Sequence, residues 1–416
     1  MPKDVRRFAD AAAVVRALEP SYPIFCLRPD VIRNVARRFL DGFPGTVLYA
    51  LKCNPHPLVL QYLYEAGIRH FDTASLPEIA QISETYDDAT CYFMHPVKGR
   101  AVIRSARRVY GLRYYVVDHV DELEKVLQET ANVDESISDL VIMVRVITPP
   151  AEGTMLHLSS KFGAKPADAA EILQLAEHRG CATGIAFHVG SQCGRPEAYT
   201  TALRIVGDVI DMAGVKPVCI DVGGGFPISY ANMEVPDLEV FFEAIRVGFE
   251  ALNLGPEVEL MCEPGRALVA EGCSLLTQVH LRKEDHRLYI NDGTYGSLSE
   301  LGMIGVEPPV RLIRLDGEVS DHMDNFTING PTCDSVDVLP CKFLLPDDVR
   351  EGDWIEIDRM GAYSSAAASK FNGFYAETFI RVGDAPVELE PILEQKALME
   401  EEEAALESGS AQPEDT

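Results

Sequence analysis

Val47-Leu48-Tyr49-Ala50-Leu51, followed by Lys52-Cys53-Asn54, is a short run of branched and aromatic residues that ends at an amine. A run of this length and character reads as a β-strand covered on both faces, and the amphipathic stretch at 58–64 reads as the helix after it. The alternation then repeats. Further strands are expected near 70–72, 91–94, 114–117, 140–146, 184–188, 217–221 and 257–262, with helices at 196–212 and 238–252 among those between them. Eight strands with intervening helices predict a closed (β/α)8 barrel rather than an open sheet. One helix start is well marked: Ser75-Leu-Pro-Glu78 offers a cap hydroxyl, a first-turn proline and a carboxylate able to reach back.

Outside that core the character changes. From about residue 270 the apolar runs become shorter, at 274–281, 287–290, 354–357 and 374–382, separated by Gly, Asp and Pro, which predicts a second, mostly β domain. The division expected is a segment 1–30 contributing to the β domain, a barrel over 31–268, the β domain over 269–386, and an acidic, disordered tail over 387–416. That tail carries Glu400-Glu401-Glu402-Glu403, a solvated charge run.

The 416 residues have a formal net charge of −28 and a pI near 4.7. Such a balance argues against nucleic acid and anionic membranes, both of which select for clustered Lys and Arg. Asp4, Arg6, Arg7 and Asp10 interrupt any signal-like apolar stretch, and no later segment reads as a membrane span, so a cytoplasmic protein is expected. The ten cysteines form no CxxC pair and sit mostly in apolar runs, which favours reduced thiols over disulfides or a metal site; no metal is expected.

In a barrel of this kind chemistry collects where strands end and loops begin. Lys52 follows the first strand, where apolar burial would lower its pKa and free the amine as an imine-forming nucleophile; a lysine there also fits a snorkelling surface residue. His188, in Phe187-His188-Val189-Gly190-Ser191, offers a flat ring able to stack, although a structural histidine explains it equally well. Gly223-Gly224-Gly225 after the seventh strand could present backbone N–H groups to a phosphate, or simply make a tight turn. Glu263 and Arg266, in Cys262-Glu263-Pro264-Gly265-Arg266, supply an acid and a guanidinium, which a local salt bridge would also explain. Amine, ring, phosphate cradle and acid together match the needs of pyridoxal phosphate, whose ring nitrogen Glu263 would keep protonated.

These segments, with Phe71-Asp-Thr-Ala-Ser75, Lys161-Phe-Gly163, Gly330-Pro-Thr-Cys-Asp334, Gly361-Ala-Tyr363 and Phe371-Asn-Gly-Phe374, resemble the fold-type III pyridoxal-phosphate decarboxylases, and within them the ornithine decarboxylase group, over about 22–382. The resemblance implies that Lys52 carries the cofactor, His188 stacks on its ring, and Glu263 pairs with its nitrogen. Ser191, Gly224, Gly225, Gly265, Arg266 and Tyr363 would hold the phosphate side, with Asp72 and Arg145 beside the cofactor and Lys52. Cys333 would return a proton after CO2 leaves, and Asp334, with Tyr295, would meet the substrate. Both Cys333 and Asp334 would come from the second subunit of a homodimer with shared active sites. Decarboxylation of a basic L-amino acid is thus expected, ornithine to putrescine being favoured. One departure weakens that preference: Ile304 stands where members acting on ornithine usually carry an acid, leaving Glu300 or Glu307 to substitute. Diaminopimelate or lysine decarboxylase remains open, although the former typically has Glu where Asp334 stands. An inactive regulatory relative would lose cofactor residues that are present here, and a racemase of this fold would put Arg where Glu263 stands.

Overall fold

The computed structural model describes residues 7–133, 136–150, 154–156 and 160–409, with side chains through 399. The chain forms two compact units. One comprises residues 32–228 and 235–269; the other gathers residues up to 31, the short stretch 229–234 and everything from 270 onward.

The first unit is a closed barrel of eight parallel strands: Thr46–Ala50, His70–Thr73, Thr90–Phe93, Tyr114–Val117, Val141–Arg145, Ala182–Ala186, Cys219–Asp221 and Glu259–Cys262. The ring closes where Met261 and Cys262 pair with Thr46 and Val47. Both faces of these strands are covered, so Val47, Leu48, Tyr49 and Ala50 are buried in succession instead of alternating with solvent. Leu48, Tyr92, Val116, Met143, Cys219 and Met261, from six different strands, pack into one cluster. Ser75 caps the helix Leu76–Ser83 by accepting the Glu78 N–H at 3.4 Å, with Pro77 in its first turn. The Glu78 carboxylate reaches one residue beyond the cap and accepts the Ala74 N–H at 2.6 Å.

The second unit holds a nine-stranded sheet in which Ile24–Leu27 lies between Thr378–Val382, to which it is parallel, and Cys273–Lys283, to which it is antiparallel. The strand expected at 374–382 starts only at Thr378. Asn372 and Gly373 take left-handed backbone angles, φ 52° and 81°, in a turn that cannot continue a pleat. Arg28, at the end of Ile24–Leu27, is buried and bonds Glu356 at 2.7 Å, Asp358 at 3.3 Å and Asp384 at 3.1 Å. The disordered tail expected from 387 is corrected over Glu390–Gly409, which is helical; its Glu, Leu, Ala and Met composition carries high helix propensity. Residues 410–416 of that tail, and the side chains of Glu400 to Glu403, lie outside the described residues, as do Asp4 and Arg6. Among the described residues no helix is long and apolar enough to cross a membrane, and no group of His, Cys, Asp and Glu could hold a metal ion.

Candidate active site

The carboxyl ends of the barrel strands carry every barrel residue singled out by the sequence. Lys52 sits in a single 3-10 turn, Leu51–Cys53, directly after the first strand. That turn is pinned to the eighth loop: Ala50 N–H donates to Pro264 O at 3.1 Å, and a Cβ on Gly265 would stand only 3.0 Å from Cys53 Cβ. Lys52 Nζ donates to Asp72 Oδ2 at 2.5 Å. The Lys52 side chain is 46% exposed while that of Asp72 is 2% exposed. The expectation of an amine desolvated by apolar neighbours is therefore corrected. A buried carboxylate from the second strand holds it, and that carboxylate stands within hydrogen-bond reach to accept the proton a nucleophilic amine must give up.

Arg145 ends the fifth strand, with its guanidinium 5.6 Å from the centre of the Phe162 ring. Burial lowers its pKa, opposed by the nearby carboxylates of Glu263 and Asp72. His188 follows the sixth strand. Burial, then Arg145 and Lys52, hold its pKa well below the usual imidazole range, so the ring is neutral. Its Nδ1 accepts the Gly190 N–H at 3.0 Å, which places the ring proton on Nε2.

The seventh strand ends at Asp221 and turns through Gly223, whose φ of +70° and 2.1 Å approach to Phe187 O at the Cβ position exclude any side chain. A Cβ on Gly224 would meet Glu263 O at 2.7 Å and His188 Nε2 at 3.0 Å, so this cradle faces the imidazole edge. Beneath it, the buried Tyr199 hydroxyl donates to Gly224 O at 2.9 Å. Tyr199 escaped the sequence reading because it is one more aromatic on the buried stripe of the helix Glu197–Ala213. Ser191 Oγ accepts from Arg266 Nη2 at 3.4 Å, and Arg266 itself is buried. Glu263 follows the eighth strand, and burial, then Asp221 and Asp72, push its carboxyl well above the usual range.

Lys52, Asp72, Arg145, His188, Ser191, Gly224, Gly225, Glu263, Gly265 and Arg266 thus share one barrel rim. The other residues singled out belong to the second unit. There the Tyr295 hydroxyl donates to Asp334 Oδ2 at 2.6 Å, and this bond holds the Asp334 carboxyl below its ordinary range. The exposed Cys333 places Sγ 3.5 Å from Asn372 Oδ1, and Tyr363 takes a left-handed φ of 52°. Ile304, 8% exposed, ends the helix Ser299–Ile304. Of the acids expected to stand in for it, Glu300 is buried on that helix and Glu307 is ion-paired with Lys396.

The rim supplies a glycine turn with a buried guanidinium and a hydroxyl, a neutral ring, a high-pKa carboxyl and an amine held by a carboxylate. That donor set fits a phosphorylated pyridine aldehyde: the phosphate at Gly224, Gly225, Ser191 and Arg266, the ring at His188, its nitrogen at Glu263 and its carbonyl at Lys52.

Comparison with known proteins agrees. The family described as pyridoxal-dependent decarboxylase, pyridoxal binding domain, matches residues 30–270. A lysine/ornithine decarboxylase of Selenomonas ruminantium is 31% identical over 348 residues, spanning 82% of this chain and 84% of that protein. Antizyme inhibitor 2 of Xenopus laevis is 31% identical over 371 residues, spanning 83% and 77%. Among solved structures, the lysine/ornithine decarboxylase of Vibrio vulnificus complexed with cadaverine has a TM-score of 0.76 at 30% identity, covering 91% of this chain and 100% of the other. The chain belongs to the pyridoxal-dependent decarboxylases, and pyridoxal phosphate is its cofactor.

Proposed function

We propose that the chain removes the α-carboxylate of a basic L-amino acid, with ornithine, giving putrescine, as the preferred substrate. The observation that carries the reading is Glu263, a desolvated carboxyl on the same rim as Lys52 and the glycine cradle. A carboxyl of this kind keeps the ring nitrogen protonated, whereas an arginine there would not. When bound, pyridoxal phosphate supplies the sink for the electron pair released as the bond to the carboxylate breaks. Lys52 binds the cofactor, Asp72 takes and returns the amine proton, and the neutral His188 supports the ring without adding charge. A proton from Cys333 Sγ replaces CO2 on the same carbon. Asp334, held ionised by Tyr295, receives the distal ammonium of the substrate. Cys333 and Asp334 act from the partner copy of a cytoplasmic homodimer with shared sites.

A lysine-preferring enzyme is the second reading. It is favoured by one observation: an apolar, buried Ile304 and a paired Glu307 leave Asp334 as the assigned carboxylate. Relatedness to an antizyme inhibitor also raises a purely binding role, but the full set from Lys52 to Arg266 stands on one rim.

CO2 release from ornithine, lysine, arginine and meso-diaminopimelate tests the proposal. The highest kcat/KM is expected with ornithine, and Asp334→Asn should lower it by roughly ten- to a hundredfold through loss of a charge-assisted hydrogen bond. Highest kcat/KM with lysine would install the second reading, and no release from any of the four would overturn the function.

Tyr199→Phe should loosen the glycine cradle, weakening cofactor binding as well as the fold around it. Removing the hydroxyl leaves Gly224 O buried without this donor, a loss of about 1–3 kcal/mol. The Kd for pyridoxal phosphate should rise roughly tenfold in a fluorescence titration.

A further inference from the structure

We propose that Asp221 is a positioning residue for this site: its carboxyl shares one proton with that of Glu263 and, through the Gly223 N–H, fixes where that proton sits relative to the glycine cradle.

The backbone sets the two groups side by side. Asp221 pairs with Met261 across the seventh and eighth strands, and Glu263, two residues further on, points to the same face. Gly223 O accepts the Glu263 N–H at 2.8 Å, which continues the ladder past the strand ends. Asp221 is 0% exposed. Its Oδ1 accepts the Gly223 N–H at 2.8 Å, whereas its Oδ2 is buried without a hydrogen bond of ordinary geometry among the described residues. The Glu263 carboxyl lies against this side chain.

Charge decides the proton count. Two ionised carboxylates in contact in a desolvated site repel strongly, and a single proton between them removes most of that cost. Among the charges that act on Glu263, Lys52 and Arg145 are balanced by Asp72 and one shared negative charge, with His188 neutral. Among the described residues, Tyr92, Cys219 and Cys262 also feel Asp221, and burial raises their pKa values, so they stay neutral. Burial likewise pushes the Asp221 carboxyl up to about 7. Titration belongs to the pair as a whole.

Asp221 therefore tunes how readily Glu263 holds a proton without touching the cofactor. The inference builds on the role proposed for Glu263, but its test needs neither substrate nor turnover. The full-length chain, stripped of pyridoxal phosphate by dialysis, is titrated while the infrared stretch of protonated carboxyl groups is followed. Wild type should keep a protonated carboxyl at a pH where ordinary Asp and Glu are ionised. In Asp221→Asn, which retains an acceptor for Gly223 N–H, the titration midpoint should fall by about one pH unit or more, a tenfold loss of proton affinity. Glu263→Gln reads the pair from the other side and should lower the midpoint likewise, so the inference stays testable if one variant fails to fold. With the cofactor restored, Asp221→Asn should lower kcat while KM stays within about twofold, because Asp221 meets no substrate. A midpoint unmoved by both substitutions, or no protonated carboxyl in wild type above the ordinary range, would overturn the shared proton whatever the substrate proves to be.

Discussion

Replacement of Lys52 by alanine is expected to lower turnover by on the order of 10⁴-fold or more, the scale seen when a covalent catalytic group is deleted. Lys52 is a rim amine bonded to a buried carboxylate, so its loss removes the imine-forming group and takes this cation from that carboxylate. The loss should come with altered cofactor absorbance and not with unfolding, since the Lys52 side chain is half exposed and contributes little to the core. Asp72, left buried without this partner, should make the variant modestly less stable. Steady-state CO2 release and cofactor absorbance, measured against the unfolding midpoint, check the expectation. Near-normal turnover in a folded Lys52→Ala protein would remove the amine from the chemistry.

The largest expected effect on stability lies in the other unit. Arg28→Met removes the cation that joins Glu356, Asp358 and Asp384. Burial opposes its charge, but Asp358, Glu356 and Asp384 hold the guanidinium more firmly protonated than usual. Deleting one member of a buried ion network leaves uncompensated charge and costs about 3–5 kcal/mol. The lower end is expected here, because Glu356 retains Arg311 at 2.5 Å and Ser274 Oγ at 2.7 Å. At about 2–4 °C per kcal/mol, the midpoint should fall by roughly 6–12 °C. The chain's single tryptophan, Trp354, is buried in this sheet and donates its indole N–H to Pro20 O at 2.9 Å, so its fluorescence reports the transition of this unit directly. Acid should narrow the difference. Burial raises Asp358 to about 6, above its ordinary 3.8, so its contribution is present below 3.8 and is lost as pH rises through 6. Without Arg28 that loss extends to higher pH, so the gap between wild type and variant should shrink as pH falls toward about 6. A gap that does not depend on pH would place the damage in packing instead of charge.

The barrel was legible because its strands obey one local rule: branched or aromatic runs that end at rim residues. Each expected strand from 47–51 to 257–262 lies within about two residues of an observed one. Strands of the second unit at Val310–Ile313, Met323–Asn329 and Val338–Pro346 were missed, because Arg311, Asp324, Asn325, Pro340 and Lys342 break their apolar pattern. The excursion 229–234 was equally silent: Asn232 Nδ2 donates to Gly305 O and its Oδ1 accepts the Glu307 N–H, partners more than 70 residues away. In the site, motif order disclosed which residues matter but not what holds them. The family resemblance already places Asp72 beside Lys52, though not as the hydrogen-bonded carboxylate that holds the amine, and nothing near Asp221 announces Glu263. Those pairings arise only when the ring of strands closes.

The path of the chain through the second sheet bears on how the polypeptide is made. Ile24–Leu27 must wait for both flanking strands, the later of which, Thr378–Val382, leaves the ribosome some 350 residues afterwards. At synthesis rates of roughly 5–20 residues per second the nascent apolar segment lacks at least one of these partners for roughly 20–70 s, long after the last barrel strand has emerged. Over that interval it is a sticky, unpaired edge, and yield during expression should respond to chaperone supply and translation speed more than to the strength of the finished fold.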